Sequence, residues 1–334
     1  MTVVTASAGE VRQASAAGGF GRRRARNVVM WTLCSIALAL VVAPVVWLVV
    51  GIVAQAVPDW HWNVLTTNQL GNGGGVLNAI EGTFLIVAGV MVLGGVVGIA
   101  GGLYLAEYSP AGHGALLRGA SEVLSGVPSI VLGYVGYIAL VVALHWGFSL
   151  LAGWIVLSVL VIPYITKTTE VAIRNVPTAY REGGEALGMR SGYMLRRLVM
   201  KPALPGIVTG LIVAAAISLG ETAPLLYTAG YNSKGPSGAL THSPVGYLTY
   251  DVFTFYNEPY KSAQHLAYQA ALLLIVLVVV LIIVSRFIVS YSQRYSPDRQ
   301  QKTSRRHRAA PQPTEALAAR GRGDAVSPPP PTGA

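Results

Sequence analysis

Charge is scarce in this chain. Only 11% of its 334 residues are Asp, Glu, Lys or Arg, against about 25% in an ordinary soluble protein. That scarcity excludes a typical soluble globular enzyme and an acidic disordered chain. Cysteine is nearly absent. The single Cys34 cannot form an intrachain disulfide, no Cys–His metal spacing occurs, and a small core residue is the reading that remains. No paired catalytic carboxylates, nucleophile elbow or zinc-ligand helix appears. The G-x-x-x-x-G-K-[ST] pattern is also missing, so the chain has no phosphate loop of its own. We therefore expect no catalytic residue, no metal site and no cofactor here.

Apolar residues are plentiful. They make up 53% of the chain, its mean hydropathy is +0.53, and they fall in long blocks. A spanning helix needs about 20 mostly apolar residues. The blocks lie at 28–57, 83–106, 123–144, 148–165, 205–226 and 267–288. The third and fourth come from one uncharged run, divided at His145-Trp146-Gly147-Phe148, an aromatic and polar break of interfacial type. The fold expected is all-α and polytopic, with six transmembrane helices. The basic cluster before the first block is followed by too long an apolar stretch for a cleavable signal peptide.

The net charge of +10 raises the question of an acidic partner. Sorted by loop, 22 of the 24 Lys and Arg fall on one side of the bilayer, and only Lys234 and Lys261 on the other. Cations stay on the cytoplasmic side, so both termini are expected inside. The charge records orientation, and nucleic acid drops out as a partner. Residues 1–27 and 291–334, rich in Ala, Arg or Pro, are expected to be disordered basic tails flanking a transmembrane domain at 28–290. The stretch Arg299 to Arg308 either lies on anionic lipid or is solvated.

The cytoplasmic loop 167–204 carries seven of the cations. Pro177 can open a first short helix, and Arg181 and Glu185, four apart, can pair along it. Gly183, Gly184 and Ala186 leave the backbone open to close approach. Gly188 can take positive φ and end the helix. Ser191 can cap a second one, with Leu195, Leu198 and Val199 on one side and Arg196, Arg197 and Lys201 towards the other. This knob either docks on another protein or is an amphipathic connector.

Other features sit in the membrane. Glu221 is an acid within a span, which costs roughly 2.5–3.5 kcal/mol at the bilayer centre. It reads as a gating or helix-pairing group, or as a structural buried acid. Gly126, Pro128, Ser129 and Gly133 either kink the third helix or present backbone N–H groups to an anion. Gly94, Gly98 and Gly102 fit close helix packing. The segment 229–264 is rich in Tyr and Phe and reads as an interfacial helix or a contact for a binding protein.

The loop motif resembles the EAA loop of binding-protein-dependent ABC importer permeases. Glu182 is followed by a small pair, with Gly188 six residues after it and a hydrophobic–proline end. Gly183 and Gly184 stand where the family usually has two alanines, a change that softens the helix by about 1 kcal/mol per site. The proline of Lys201-Pro202 comes one residue later than usual. Val176-Pro177 with Tyr180-Arg181-Glu182, the run Gly126 to Val131 with Gly133, Gly220-Glu221-Thr222-Ala223-Pro224-Leu225-Leu226, and His265-Leu266-Ala267-Tyr268 are similar to motifs of the phosphate-importing members. Ile217 stands where that subfamily commonly has an arginine. The likeness covers about residues 80 to 290.

The resemblance implies a type I ABC importer permease for inorganic phosphate in the bacterial inner membrane. Tyr180, Arg181, Glu182, Gly183, Gly184, Ala186 and Gly188 would then couple to an ATPase. Pro128, Ser129, Gly133, Gly220, Glu221 and Thr222 would line or gate the path. The partners implied are a second permease subunit, two copies of an ATPase that holds ATP-Mg, and an extracytoplasmic phosphate-binding protein. A permease for another oxyanion, or a secondary transporter, is the alternative.

Overall fold

The computed structural model describes residues 8–293. Eleven α-helices follow in order among the described residues. They are α1 (Ala8–Ala56), α2 (Leu77–Leu103), α3 (Ala111–Ser125), α4 (Ser129–Gly136), α5 (Leu150–Arg174), α6 (Ala179–Ala186), α7 (Ser191–Met194), α8 (Met200–Gly220), α9 (Ala223–Thr228), α10 (Leu248–Tyr256) and α11 (Lys261–Gln293). π-Helical turns continue α2 (Tyr104–Tyr108), α4 (Tyr137–Ala143) and α7 (Leu195–Val199). The only strands described are the two-residue pair β1 (Gln69–Leu70) and β2 (Gly73–Gly74), antiparallel.

Five helices are long and apolar enough to cross a membrane. A sixth crossing results if the pair α3 and α4, bent by 94° at a short break, counts as one span. The all-α membrane architecture thus follows the expectation, but three boundaries change. The block at 123–144 is not one helix. Gly126-Val127-Pro128 ends α3 and starts α4, because a residue before proline avoids the helical region and proline cannot donate to the preceding turn. The block at 205–226 is likewise broken, with Glu221 in extended backbone (φ −78°, ψ 120°) between α8 and α9. The loop 167–204 is shorter than expected, since α5 runs on to Arg174 and α8 begins at Met200. At the N-terminal end, α1 starts at Ala8 inside the stretch expected to be a tail. Ala and Arg, both strong helix formers, carry it there. Most of the basic Pro-rich tail lies outside the described residues.

The chain gathers into two compact units. One holds the described residues up to Gly82 with Tyr231–Pro236 and Val245–Ile275, and the other holds Thr83–Gly230, Ser237–Pro244 and the described residues from Val276 on. In the first unit α1 exposes most of its apolar side chains. A helix apolar all round needs lipid or a partner to cover it.

In the second unit α2 lies close on α5. The glycine stripe makes that approach possible. A Cβ on Gly98 would stand 2.7 Å from Cβ of Ile165, and one on Gly102 2.5 Å from Cβ of Thr169. Higher up, Trp154 covers Gly89 and donates its indole N–H to the Leu85 carbonyl at 3.0 Å. Small residues let two backbones come together where lipid offers no hydrophobic drive between helices. A side chain at Gly102 must overpack this seam. Gly102→Leu is therefore expected to destabilise by about 1–3 kcal/mol or more. A lowered unfolding midpoint of the purified protein, beside an unchanged midpoint for Gly112→Leu at an open position, checks it.

Candidate functional site

The second unit contains a cavity of about 530 Å³. Its wall is built where the helices of this unit break or end. Ser121, Glu122, Ser125, Val127 and Ser129 come from the bend between α3 and α4, Lys167 and Glu170 from α5, and Ile217 and Glu221 from the end of α8. Leu105 and Arg118 complete the polar part of the rim. Irregular backbone at membrane depth is tolerated where it borders protein or a cavity. Both breaks meet that condition.

Of the residues expected on the path, Ser129 and Glu221 line this cavity. Pro128, Gly133, Gly220 and Thr222 do not. Pro128 precedes the first residue of α4 and Thr222 that of α9. Gly133 is a packing residue: a Cβ there would stand 2.6 Å from Cα of Pro224 on α9. The sequence therefore pointed to the break at 126–128, but neither to the one at Glu221 nor to which side chains face the space between them.

Four charged residues that sequence reasoning passed over carry the polar geometry. Glu170 is only 4% exposed. Its Oε1 accepts from Arg118 Nε at 2.8 Å and pairs with Arg174 at 3.0 Å. Its Oε2 is buried without a hydrogen-bond partner. Both arginines also donate to the Leu105 carbonyl, at 3.4 and 3.2 Å. That carbonyl belongs to the π-helical turn at the end of α2, and such turns leave backbone groups available to other partners. Lys167, one turn before Glu170, adds a second cation to the cavity lining. The visible signal was the run Lys167-Thr168-Thr169-Glu170. It read as loop because the apolar block ends before it.

The knob follows directly. In α6, Glu182, Gly183 and Ala186 are exposed, and so is Gly188 at φ 66° just beyond it. Leu187 is 76% exposed beside them. This face is open, and a Cβ on Gly183 would meet nothing. Gly184 is the opposite case. It is buried, and a Cβ would stand 2.7 Å from the Met194 sulfur. The second short helix thus packs on the first through that glycine. Ser191 makes no capping bond; the cap position is Arg190. Tyr180 packs on a core formed by Ile173, Val176, Leu195, Val199, Ala203 and Ile207.

Arg181 does not reach for Glu185. It turns inward and grips Glu107 in the π-helical turn, Nη2 to Oε1 at 2.5 Å. It also donates to the carbonyls of Val176 at 3.0 Å and Ile173 at 3.2 Å. A half-buried carboxylate, the Ile173 carbonyl at the end of α5 and the Val176 carbonyl just beyond it together prevail over one exposed glutamate, because charge-assisted bonds gain strength away from water.

Residues 98–295 match the family described as binding-protein-dependent transport system inner membrane component. The phosphate transport system permease protein PstA 2 of Mycobacterium tuberculosis is 55% identical over 273 residues, covering 82% of this chain and 91% of the relative. The phosphate transport system permease protein PstA of Yersinia pestis is 36% identical over 217 residues, or 65% and 72% of the two chains. Among solved structures, the MetNI methionine ABC transporter in an inward-facing form aligns over 65% of this chain and 97% of its own. The TM-score is 0.50 at 21% identity, a likeness of fold alone.

The Arg181–Glu107 pair gives a test of the local geometry. Arg181→Met or Glu107→Gln leaves one partly buried charge unpaired and is expected to cost about 1–3 kcal/mol. The exchange Arg181→Glu with Glu107→Arg keeps the pair and recovers part of that loss. A double-mutant cycle on unfolding of the purified protein measures the coupling, and additive losses would show that the two residues act separately.

Proposed function

The chain belongs to the binding-protein-dependent transport system inner membrane component family, and from that membership we propose that it is a membrane-spanning permease subunit of an ATP-driven importer of inorganic phosphate. The observation that carries the substrate is the 55% identity, across 82% of this chain, to a relative named as a phosphate transport permease. The chain is a transporter subunit rather than an enzyme, and ATP-Mg belongs on a separate ATPase. It works beside a second permease subunit, two ATPase copies and an extracytoplasmic phosphate-binding protein. The 22-to-2 partition of cations supports both termini on the cytoplasmic side of a bacterial inner membrane.

The exposed knob at Glu182, Gly183, Ala186, Leu187 and Gly188 is the coupling surface. It presents little side-chain bulk, so an ATPase cleft can close around the backbone. Arg181 holds it to the turn at Glu107, so a push on α6 reaches the end of α2 and the rim of the cavity beside it. The cavity is the inner part of the path. Arg118, Lys167 and the first turn of α4 offer donors to an anion, while Glu122, Glu170 and Glu221 prevent tight retention. Weak holding suits passage better than a deep binding site.

Glu182→Ala and Gly188→Val are expected to weaken assembly with the ATPase by about tenfold, equivalent to roughly 1.4 kcal/mol, and to lower phosphate uptake in proportion. Unaltered assembly and uptake in both would sink the coupling role. In vesicles, excess unlabelled phosphate should abolish labelled phosphate uptake while sulfate and molybdate leave it; equal competition by sulfate would overturn the substrate. Glu221→Gln should lower the rate of uptake with membrane insertion unchanged, and normal kinetics would leave it a packing residue.

A further inference from the structure

The first unit contains a carboxylate that transport leaves unused. Asp251 lies on α10 and is 1% exposed. Neither of its oxygens has a hydrogen-bond partner. The hydroxyls of Tyr231 and Tyr247 are buried and unpartnered as well. Aromatic rings surround Asp251. Tyr231 stacks on Tyr250 with ring centroids 4.2 Å apart and packs edge-on to Phe255 at 6.3 Å, and Tyr247 meets Tyr250 edge-on at 5.7 Å. Asn78 closes the floor from α2, donating to the Asn232 carbonyl at 3.0 Å. A Cβ on Gly246 would stand 2.7 Å from that amide nitrogen, so the floor cannot shift freely.

The donor count is unbalanced. Two phenols bring one O–H each, and an ionised carboxylate brings none and four acceptor sites. The titratable groups that face Asp251 are Tyr231 from the segment after α9, Tyr247 just before α10 and Tyr250 on it. Asn78 is neutral. His265 on α11 is taken by Asp59. Among the described residues no Lys, Arg or His offsets the charge of Asp251. An isolated ionised carboxylate in such a place neutralises itself rather than bear the desolvation cost.

We propose that Asp251, enclosed by Tyr231, Tyr247 and Asn78, is a proton-binding site that fastens the segment 231–256. In the bound state the new carboxyl O–H donates to a neighbouring phenol oxygen, and no net charge is buried. When the proton leaves, a bare anion remains among aromatic rings and the segment opens more readily. Burial pushes the acid up to about 8, opposed in part by the Tyr231 hydroxyl. The same burial raises both phenols, Tyr231 and Tyr247, so neither competes as the group that ionises first.

The sign follows from linkage. The folded state holds a proton that the opened state releases, so opening becomes about tenfold more favourable per pH unit below the folded value and levels off above it. The test is amide hydrogen exchange across 247–256 in the full-length chain in lipid nanodiscs, corrected for intrinsic rates, at pH 6, 7, 8 and 9. The opening constant is expected to rise about tenfold per unit from pH 6 to 8 and to flatten by pH 9. Asp251→Asn, which mimics the neutral acid, should flatten the whole profile. If that variant fails to fold, Tyr231→Phe serves instead: removing the phenol that favours the anion should move the plateau to higher pH. A flat wild-type profile, or the same slope in Asp251→Asn, overturns the proposal. So does a slope that vanishes when NaCl replaces choline chloride, since the occupant would then be sodium.

Discussion

One short stretch of irregular helix, at the end of α2, gathers three arginines of the second unit. The turn Tyr104–Tyr108 is π-helical, and it offers two acceptors that a regular helix would not place together. The Leu105 carbonyl takes Arg118 and Arg174, and two residues on, Glu107 takes Arg181. Three arginines from α3, α5 and α6 therefore end on five residues of α2. Each alone would be a surface ion pair worth little. Arg181 and Arg118 are partly buried, and Arg118 and Arg174 share Glu170, so that losing that carboxylate leaves two cations uncompensated.

That arrangement explains why the helix breaks are tolerable. A backbone broken in hydrocarbon leaves N–H and C=O groups that lipid cannot satisfy. Here the breaks at 126–128 and at Glu221 both border the cavity lined by Arg118, Lys167 and Glu170. Polar backbone thus meets polar side chains rather than lipid. Gly133, pressed on Pro224, holds α4 and α9 together so that the two breaks stay on one space. The same two features that weaken the helices create a polar gap inside an apolar bundle.

The sequence made the fold class and family legible because long uncharged runs and a short loop motif are local signals. Helix ends were harder. The run from Lys167 to Arg174 looked like loop because charge marks the end of an apolar block, yet Glu170 pairs with both Arg118 and Arg174 and the helix simply continues. Glu221 looked like a mid-span acid, whereas the proline at 224 and the glycine before it place the residue at a helix junction. Arg181 offered an attractive partner four residues away. Its actual partner, Glu107, is 74 positions distant, and no local rule points across that separation.

Two buried acids show how one residue class takes opposite roles. Glu170 is held between the guanidinium groups of Arg118 and Arg174. Asp251 has no cation against it among the described residues and is ordered by staying neutral. The first is fixed by its ion pairs, the second by its proton. Burial alone cannot distinguish them, since both are almost wholly enclosed. The difference lies in the neighbours that the rest of the chain delivers: two arginines against Glu170 and buried phenols beside Asp251.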